Sequence, residues 1–244
     1  MKRTLVIGDI HGGLKALHQV FERAGVTIAD KLIFLGDYVD GWSESEAVMN
    51  YLLTLKESHE CIFIKGNHDI WCEEWLRNGT IETTWLIHGG EETLNSYADT
   101  NAATRSRHLV FFEQMPYYLV DEHNRLFVHA GFTANHGPQK ELNPANLSWD
   151  RTLWETAITM NKRIKPGSIF FPKRLKLFDE IYIGHTPTLY YDAGTPMQAC
   201  NVWNIDTGAA FTGKLSMMDI DTKQYWQSDP VYQLYPEETG RNKN

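Results

Sequence analysis

The feature that most constrains the fold of this chain is a short apolar run that recurs along it and ends each time in polar side chains. Each run holds three or four residues, mostly Val, Ile, Leu and Phe, and Asp, Asn or His follows within three residues. Such runs are typical of strands buried on both faces. The runs cover residues 5–7, 32–35, 61–64, 126–128 and 181–183, with a weaker sixth at 202–205.

Segments with helical spacing separate the first three runs. Their apolar positions are Leu14, Leu17 and Phe21 within residues 13–24, and Val48, Leu52 and Leu55 within residues 44–57. Alternating strands and helices predict right-handed crossovers and a parallel sheet. Ligands of such sheets bind at the carboxyl ends of the strands, which is where the polar tips fall.

Length and composition predict one globular domain. The chain has 244 residues, of which 42% are hydrophobic and 22% charged, as in ordinary folded proteins. We expect a single domain over residues 1–236 and a flexible polar tail over 237–244. No run of about 18 apolar residues occurs, so we expect no membrane-spanning helix. Three cysteines without a CxxC pair favour a reducing cytoplasm.

The net charge limits the partners. A charge of −8 with neutral His opposes binding to nucleic acid and to anionic membranes, and we expect neither as a partner. The charge does not exclude anionic substrates, because two divalent cations would add about four positive charges locally.

The tips carry metal-binding chemistry. Five of the predicted strands end in residues that can bind metal ions, namely Asp9, His11, Asp37, Asp40, Asn67, His68, His129 and His185. Carboxylate and amide oxygens mixed with imidazole nitrogens suit Zn, Mn and Fe, whereas Mg and Ca prefer oxygen alone. Converging strand ends can hold two cations with Asp37 as a bridge. A bridging water then ionises near neutral pH and attacks phosphorus in line.

These motifs resemble the calcineurin-like metallophosphoesterases, and within them the phosphoprotein phosphatases. The matching residues are Gly8-Asp9-Ile10-His11-Gly12, Gly36-Asp37-Tyr38-Val39-Asp40-Gly41, Gly66-Asn67-His68-Asp69, His129-Ala130-Gly131 and Gly184-His185-Thr186. Three further stretches, residues 85–94, 149–154 and 205–210, are similar to bacterial and phage serine/threonine phosphatases in particular.

The resemblance implies a fold and a metal centre. The fold is a four-layer α/β/β/α sandwich of two mixed sheets, with the metal pair between the sheets. One ion would be bound by Asp9, His11 and Asp37, and the other by Asp37, Asn67, His129 and His185. Mn is the first candidate metal, and Fe and Zn are the alternatives.

The resemblance also implies catalytic and substrate-binding residues. His68 corresponds to the general acid and Asp40 to its acidic partner, while Arg151 and Asn67 correspond to residues that bind the substrate. A carboxylate on one ring nitrogen fixes the tautomer of an imidazole and favours its protonated form.

Two positions depart from the pattern. Pro187 stands where many metallophosphoesterases have another His ligand, which the protein phosphatases also lack. Gly41 stands where the family usually has an arginine that binds phosphate, and losing that guanidinium weakens phosphate binding unless another group replaces it.

The resulting prediction is a dinuclear-metal-dependent phosphomonoesterase, a serine/threonine protein phosphatase whose substrate is a phosphorylated protein. The alternative is hydrolysis of dinucleoside polyphosphates of the diadenosine tetraphosphate type, or of another small phosphoester. A third hypothesis is a phosphate-recognising module without turnover. The sequence leaves the oligomeric state and the physiological substrate open.

Overall fold

Two five-stranded sheets form the centre of the molecule. The computed structural model describes residues 2–242. In chain order the strands are β1 (Thr4–Ile7), β2 (Lys31–Phe34), β3 (Glu60–Phe63), β4 (Tyr118–Val120), β5 (Arg125–Val128), β6 (Glu180–Ile183), β7 (Met197–Ala199), β8 (Val202–Asn204), β9 (Ser216–Asp219) and β10 (Tyr225–Gln227). All six apolar runs of the sequence form or overlap a strand.

Each sheet mixes parallel and antiparallel pairs. The first has the order β10-β9-β1-β2-β3, and the second has the order β4-β5-β6-β8-β7. Strands β1, β2 and β3 are parallel, as are β5, β6 and β8, while the pairs β1–β9, β9–β10, β4–β5 and β7–β8 are antiparallel. The parallel strands of both sheets place their carboxyl ends, and so their polar tips, on one side of the molecule.

The two helices predicted from the spacing of apolar residues, within residues 13–24 and 44–57, are present as the first two helices of the structure, and further helices follow them along the chain. In chain order the helices are α1 (Leu14–Ala24), α2 (Ser45–Ser58), α3 (Asn67–Asn78), α4 (Thr83–Trp85), α5 (Glu91–Ser96), α6 (Ala102–Glu113), α7 (Thr152–Ile158) and α8 (Val231–Leu234). Between α4 and α5 the segment Leu86–Gly90 forms a π-helical turn that is kinked at His88 and Gly89. No helix of the described chain is both long enough and apolar enough to cross a bilayer.

Three clusters of buried side chains define four layers. The middle cluster joins the two sheets, and there Phe127 and Tyr182 stack with ring centroids 5.0 Å apart. One outer cluster packs α1, α2 and α6 on the first sheet, and the other packs α7 on the second. Burying both faces of each sheet accounts for the continuously apolar strands. The predicted α/β/β/α sandwich is confirmed.

The division into one domain over 1–236 and a flexible tail over 237–244 stays a prediction. Residues 243 and 244 of that tail lie outside the described residues. The preceding residues run beside the loop that follows β2, where Ser43 donates two hydrogen bonds to the carboxylate of Glu238.

Candidate metal centre

The polar strand tips meet between the two sheets. Several of them depend on unusual backbone geometry: His11, Asp37, Asp40 and His185 have φ angles of 51°, 54°, 73° and 67°. This left-handed region is unfavourable for residues other than glycine, and such residues cluster at functional sites. The sheets hold these four side chains in orientations that an ordinary turn would not give them.

Two motif glycines make room for carboxylates. A Cβ at Gly66 would lie 2.1 Å from Asp37 Oδ1, and one at Gly184 would lie 2.1 Å from Asp9 Oδ1. Any larger residue would displace the carboxylate. The glycines of the Gly-Asn-His and Gly-His motifs are therefore steric requirements of acidic residues on other strands. Asp37 follows the adjacent strand β2, and Asp9 follows β1 of the other sheet.

Asp37 is shared by two groups of buried ligand atoms. His11, Asp37 and His68 have ligand atoms within 4.8 Å of one another, and so do Asp37, His129 and His185. The Nε2 atoms of His11 and His129 lie 3.5 Å and 3.3 Å from Asp37 Oδ2. This arrangement matches two neighbouring cation sites with a common carboxylate.

Asp9 and Asn67 complete the two groups. Asp9 Oδ2 lies 3.9 Å from His11 Nε2 and accepts a hydrogen bond from the backbone N–H of His185 at 3.0 Å. Asn67 Oδ1 lies 2.9 Å from His185 Nδ1 and 3.1 Å from His129 Nε2. The structure thus brings together all six residues that the sequence predicts as metal ligands.

The donor set fits a metal ion. Within the described chain, Asp9 Oδ1 and His185 Nε2 are buried and have no hydrogen-bond partner. Buried polar atoms are normally satisfied, and an ion is one of the few partners that can satisfy a carboxylate oxygen and an imidazole nitrogen together. Oxygen and nitrogen donors on converging loops are suitable ligands for two divalent cations.

Burial and neighbouring charges set the protonation of these groups. Burial holds the pKa of His11 and His185 well below the usual value, so both rings are neutral, which is the form that binds metal. Burial also raises the pKa of Asp9, with a further contribution from Asp206. For Asp37, burial favours the acid, but the imidazoles of His129 and His68 outweigh it and lower the pKa.

His68 is oriented by Asp40. Its Nδ1 lies 2.6 Å from Asp40 Oδ2, and its ring packs edge-on against that of His11 with centroids 4.9 Å apart. The predicted His–Asp pair is therefore formed. With Nδ1 engaged by a carboxylate, Nε2 is the nitrogen left to face the pocket.

Sequence reasoning missed the residues that fix Asp40. Trp85 Nε1 donates to Asp40 Oδ2 at 2.8 Å, and Thr93 Oγ1 donates to Asp40 Oδ1 at 2.6 Å. Both lie in the stretch 85–94 that the family resemblance singled out, but no role followed from that match.

Asp69 is a second residue whose role the sequence left open. Its carboxylate accepts hydrogen bonds from the backbone N–H groups of Asp37, Tyr38 and Gly66, at 2.9, 3.0 and 2.7 Å. It thereby joins the loop after β2 to the loop after β3. Burial, with the nearby charge of Asp37, raises the pKa of Asp69 to about 7.

A pocket lined partly by aromatic residues adjoins the predicted metal ligands. Arg151, the predicted phosphate-binding residue, is exposed and lines this pocket. Trp149 and Tyr190 also line it and are 41% and 61% exposed. Flat aromatic surfaces beside an anion-binding centre can bind planar groups by stacking.

Substitution of Gly184 by alanine is expected to lower cation affinity about 10- to 100-fold, because the new Cβ would push the Asp9 carboxylate aside. The measurement is calorimetric titration of stripped protein with Mn²⁺. Gly194→Ala is the matched control, since no atom lies within 4 Å of a Cβ built at Gly194. Equal affinities in the two variants would contradict the fit of the site to metal.

The known proteins that this chain resembles in sequence are phosphoesterases. The sequence pattern of the calcineurin-like phosphoesterases matches residues 2–206. A bis(5'-nucleosyl)-tetraphosphatase PrpE [asymmetrical] of Anoxybacillus flavithermus is 24% identical over 229 residues, covering 87% of this chain and 88% of the relative. A PrpE of the same description from Bacillus cereus is 28% identical over 235 residues, with the same shares covered.

The fold is also similar to solved structures. A protein serine/threonine phosphatase from Saccharomyces cerevisiae superposes with a TM-score of 0.57 at 14% identity, covering 93% of this chain and 80% of the other. At this identity the likeness concerns the fold alone, and it agrees with the layers described above.

Proposed function

The chain belongs to the calcineurin-like phosphoesterase family, and from this premise we propose that it hydrolyses dinucleoside polyphosphates in a metal-dependent reaction. The observation that supports the chemistry is the pair of ligand groups that share Asp37. The relatives named as bis(5'-nucleosyl)-tetraphosphatases, which match nearly their whole length, support the substrate class.

The predicted ligands divide into two sets, one for each cation. Asp9, His11 and Asp37 would hold one cation, and Asp37, Asn67, His129 and His185 the other. A bound metal pair supplies Lewis-acid polarisation of the phosphate and of the attacking water. Mn²⁺ is the metal we propose, with Fe and Zn as alternatives, because the donor set mixes oxygen with imidazole nitrogen.

His68 and Asp40 provide general acid catalysis. His68 donates it to the leaving oxygen, and Asp40 holds the ring in the required orientation. Trp85 and Thr93 in turn hold Asp40, so this pair is already positioned before substrate binds. Arg151 and Asn67 contact the phosphate oxygens, and the exposed rings of Trp149 and Tyr190 receive a nucleobase.

A phosphoprotein is the second candidate substrate. Pro187 lines the pocket at the position where many metallophosphoesterases have a further histidine ligand, and the protein phosphatases also lack that histidine. We propose a reducing cytoplasm as the setting of either reaction, since Cys61, Cys72 and Cys200 form no disulfide.

A substrate comparison tests the proposal. Protein stripped of metal and reloaded with Mn²⁺ is expected to hydrolyse diadenosine tetraphosphate with a kcat/KM at least about tenfold above that for a phosphoserine or phosphothreonine peptide, because only the dinucleotide offers bases to the aromatic pocket. Metal-stripped protein is the control. A higher kcat/KM on the phosphopeptide than on diadenosine tetraphosphate would contradict the proposal and favour the phosphoprotein alternative.

Product analysis sharpens the test. Addition of one water across an outer anhydride bond of diadenosine tetraphosphate gives a mono- and a triphosphate, whereas addition across the central one gives two diphosphates. We expect the unequal pair, as the name of the relatives indicates. Chromatography of the nucleotides distinguishes the two outcomes.

A further inference from the structure

The C-terminal segment places an arginine in the same pocket. Arg241 lines it together with His11, Asp37, His68 and Arg151. Its backbone N–H donates to the carbonyl of Ala210 at 2.9 Å, in the loop that follows β8. A residue far from every predicted motif therefore faces the predicted metal ligands.

Several contacts fix the path of this segment. Tyr235 stacks on Trp42 with ring centroids 5.3 Å apart, and its hydroxyl accepts from the backbone N–H of Lys15 at 3.0 Å. Glu238 accepts from the N–H and the hydroxyl of Ser43 at 2.9 and 2.7 Å. Gly240 passes so close to the Trp42 ring that a Cβ would lie 2.6 Å from it. The arginine is thus positioned by packing on both sides of the loop after Asp40.

Two glycines leave the space that the arginine fills. A Cβ built at Gly41 or at Gly89 would lie 3.3 Å from Arg241 Cγ, tighter than most real contacts. Gly41 also has a φ of 105°, which disfavours any side chain. The position directly after Asp40 therefore has no side chain of its own, and the stem of Arg241 runs beside it instead.

The guanidinium has no carboxylate within salt-bridge distance in the described chain. Burial raises the pKa of Asp206, in the same pocket, to about 6, and the charge of Arg241 acts on it through space without a direct contact. Arg241 forms no salt bridge with any residue in 2–242, and its buried Nε has no hydrogen-bond partner there. Its Cζ lies 5.2 Å from the ring centroid of Phe211, another residue of the pocket. The nearby His88 has a lowered pKa, caused first by burial and then by the charge of Arg241.

A partly buried guanidinium that makes no direct ion pair is unfavourable unless an anion binds to it. Its planar set of N–H donors matches the oxygens of a phosphate, which can accept two parallel hydrogen bonds. The surrounding ligand groups would hold cations rather than neutralise it. We propose that Arg241 is a phosphate-binding residue of this site, supplied by the C-terminal segment and acting with Arg151. This inference rests on the proposed function in requiring that a phosphate group enters the pocket.

The test compares Arg241→Gln and Arg241→Lys with the wild type and with Arg163→Gln, a control at an exposed arginine outside the pocket. Inorganic phosphate is the probe. Two readouts are used: its inhibition constant against p-nitrophenyl phosphate hydrolysis, and the rise in melting temperature that it causes in the Mn²⁺-loaded protein.

We expect Arg241→Gln to raise the inhibition constant about tenfold or more and to remove most of the phosphate-induced rise in melting temperature. Arg241→Lys should fall between it and the wild type, because it keeps the charge but not the paired donors. Metal content should be unchanged in both variants. Arg163→Gln should behave as the wild type.

Wild-type phosphate affinity in Arg241→Gln would overturn the proposal. So would weakened phosphate binding that is fully explained by loss of metal, because Arg241 would then only support the ligand loops. The melting readout needs no turnover, so the role of Arg241 is tested even if diadenosine tetraphosphate is not a substrate. Failure on the dinucleotide with Arg241-dependent phosphate binding would reject the substrate proposal alone.

Discussion

Replacement of Asp37 by asparagine is expected to reduce hydrolysis of every phosphate substrate by at least about 10³-fold, because both ligand groups lose their shared carboxylate. Asparagine has nearly the same volume and can still accept the hydrogen bond that the N–H of His68 donates to Asp37 Oδ1 at 3.1 Å. The fold should therefore survive while the metal centre fails.

The measurement pairs activity with metal content after dialysis. Wild-type protein is expected to retain two ions and Asp37→Asn one or fewer. Asp192→Asn is the control, since Asp192 is an exposed aspartate with a φ of 56°, close to the 54° of Asp37. A variant at position 37 that keeps two ions and full activity would remove the basis of the proposed function.

Replacement of His68 by asparagine is expected to lower kcat about 10²- to 10⁴-fold on a phosphoserine peptide, whose leaving group is a basic alkoxide that needs a proton. The loss should be smaller on an aryl phosphate or on a dinucleoside polyphosphate, because their leaving groups are weaker bases. The ratio of the losses on these substrates is thus a direct measure of proton donation by His68.

Metal content separates this role from ligation. His68 lies within ligand distance of His11 and Asp37, so a cation could also bind it. We expect metal content to stay at the wild-type level, as it should in the control His123→Asn, at a histidine whose side chain is 67% exposed. Equal losses on all substrates, together with a missing ion, would identify His68 as a ligand instead.

The strands could be predicted because short stretches of sequence encode them. A run such as residues 32–35 is apolar on both faces, and the glycine and aspartate after it mark where the strand ends. Parallel strands then bring distant tips to one edge, so Asp9 and Asp37 could be expected to meet. The glycine requirements at Gly66 and Gly184 follow the same logic, although only the structure identifies the carboxylates they accommodate.

The supporting contacts were not predictable because they depend on the paths of irregular segments. Trp85 and Thr93 reach Asp40 only because the kinked turn between α4 and α5 directs them there. No periodicity encodes that turn. The polar composition after residue 236 indicates only a solvated tail, and it is long-range packing on Trp42 that brings Arg241 into the pocket.

The left-handed backbone at His11, Asp37, Asp40 and His185 has a consequence for engineering. Each such residue costs roughly 1–3 kcal/mol that the surrounding sheets must offset. Glycine would relieve that cost, so a search for thermal stability alone would favour substitutions at the positions that we propose bind the metal ions and orient the proton donor. At these four positions, a gain in folding stability would come at the expense of the proposed activity.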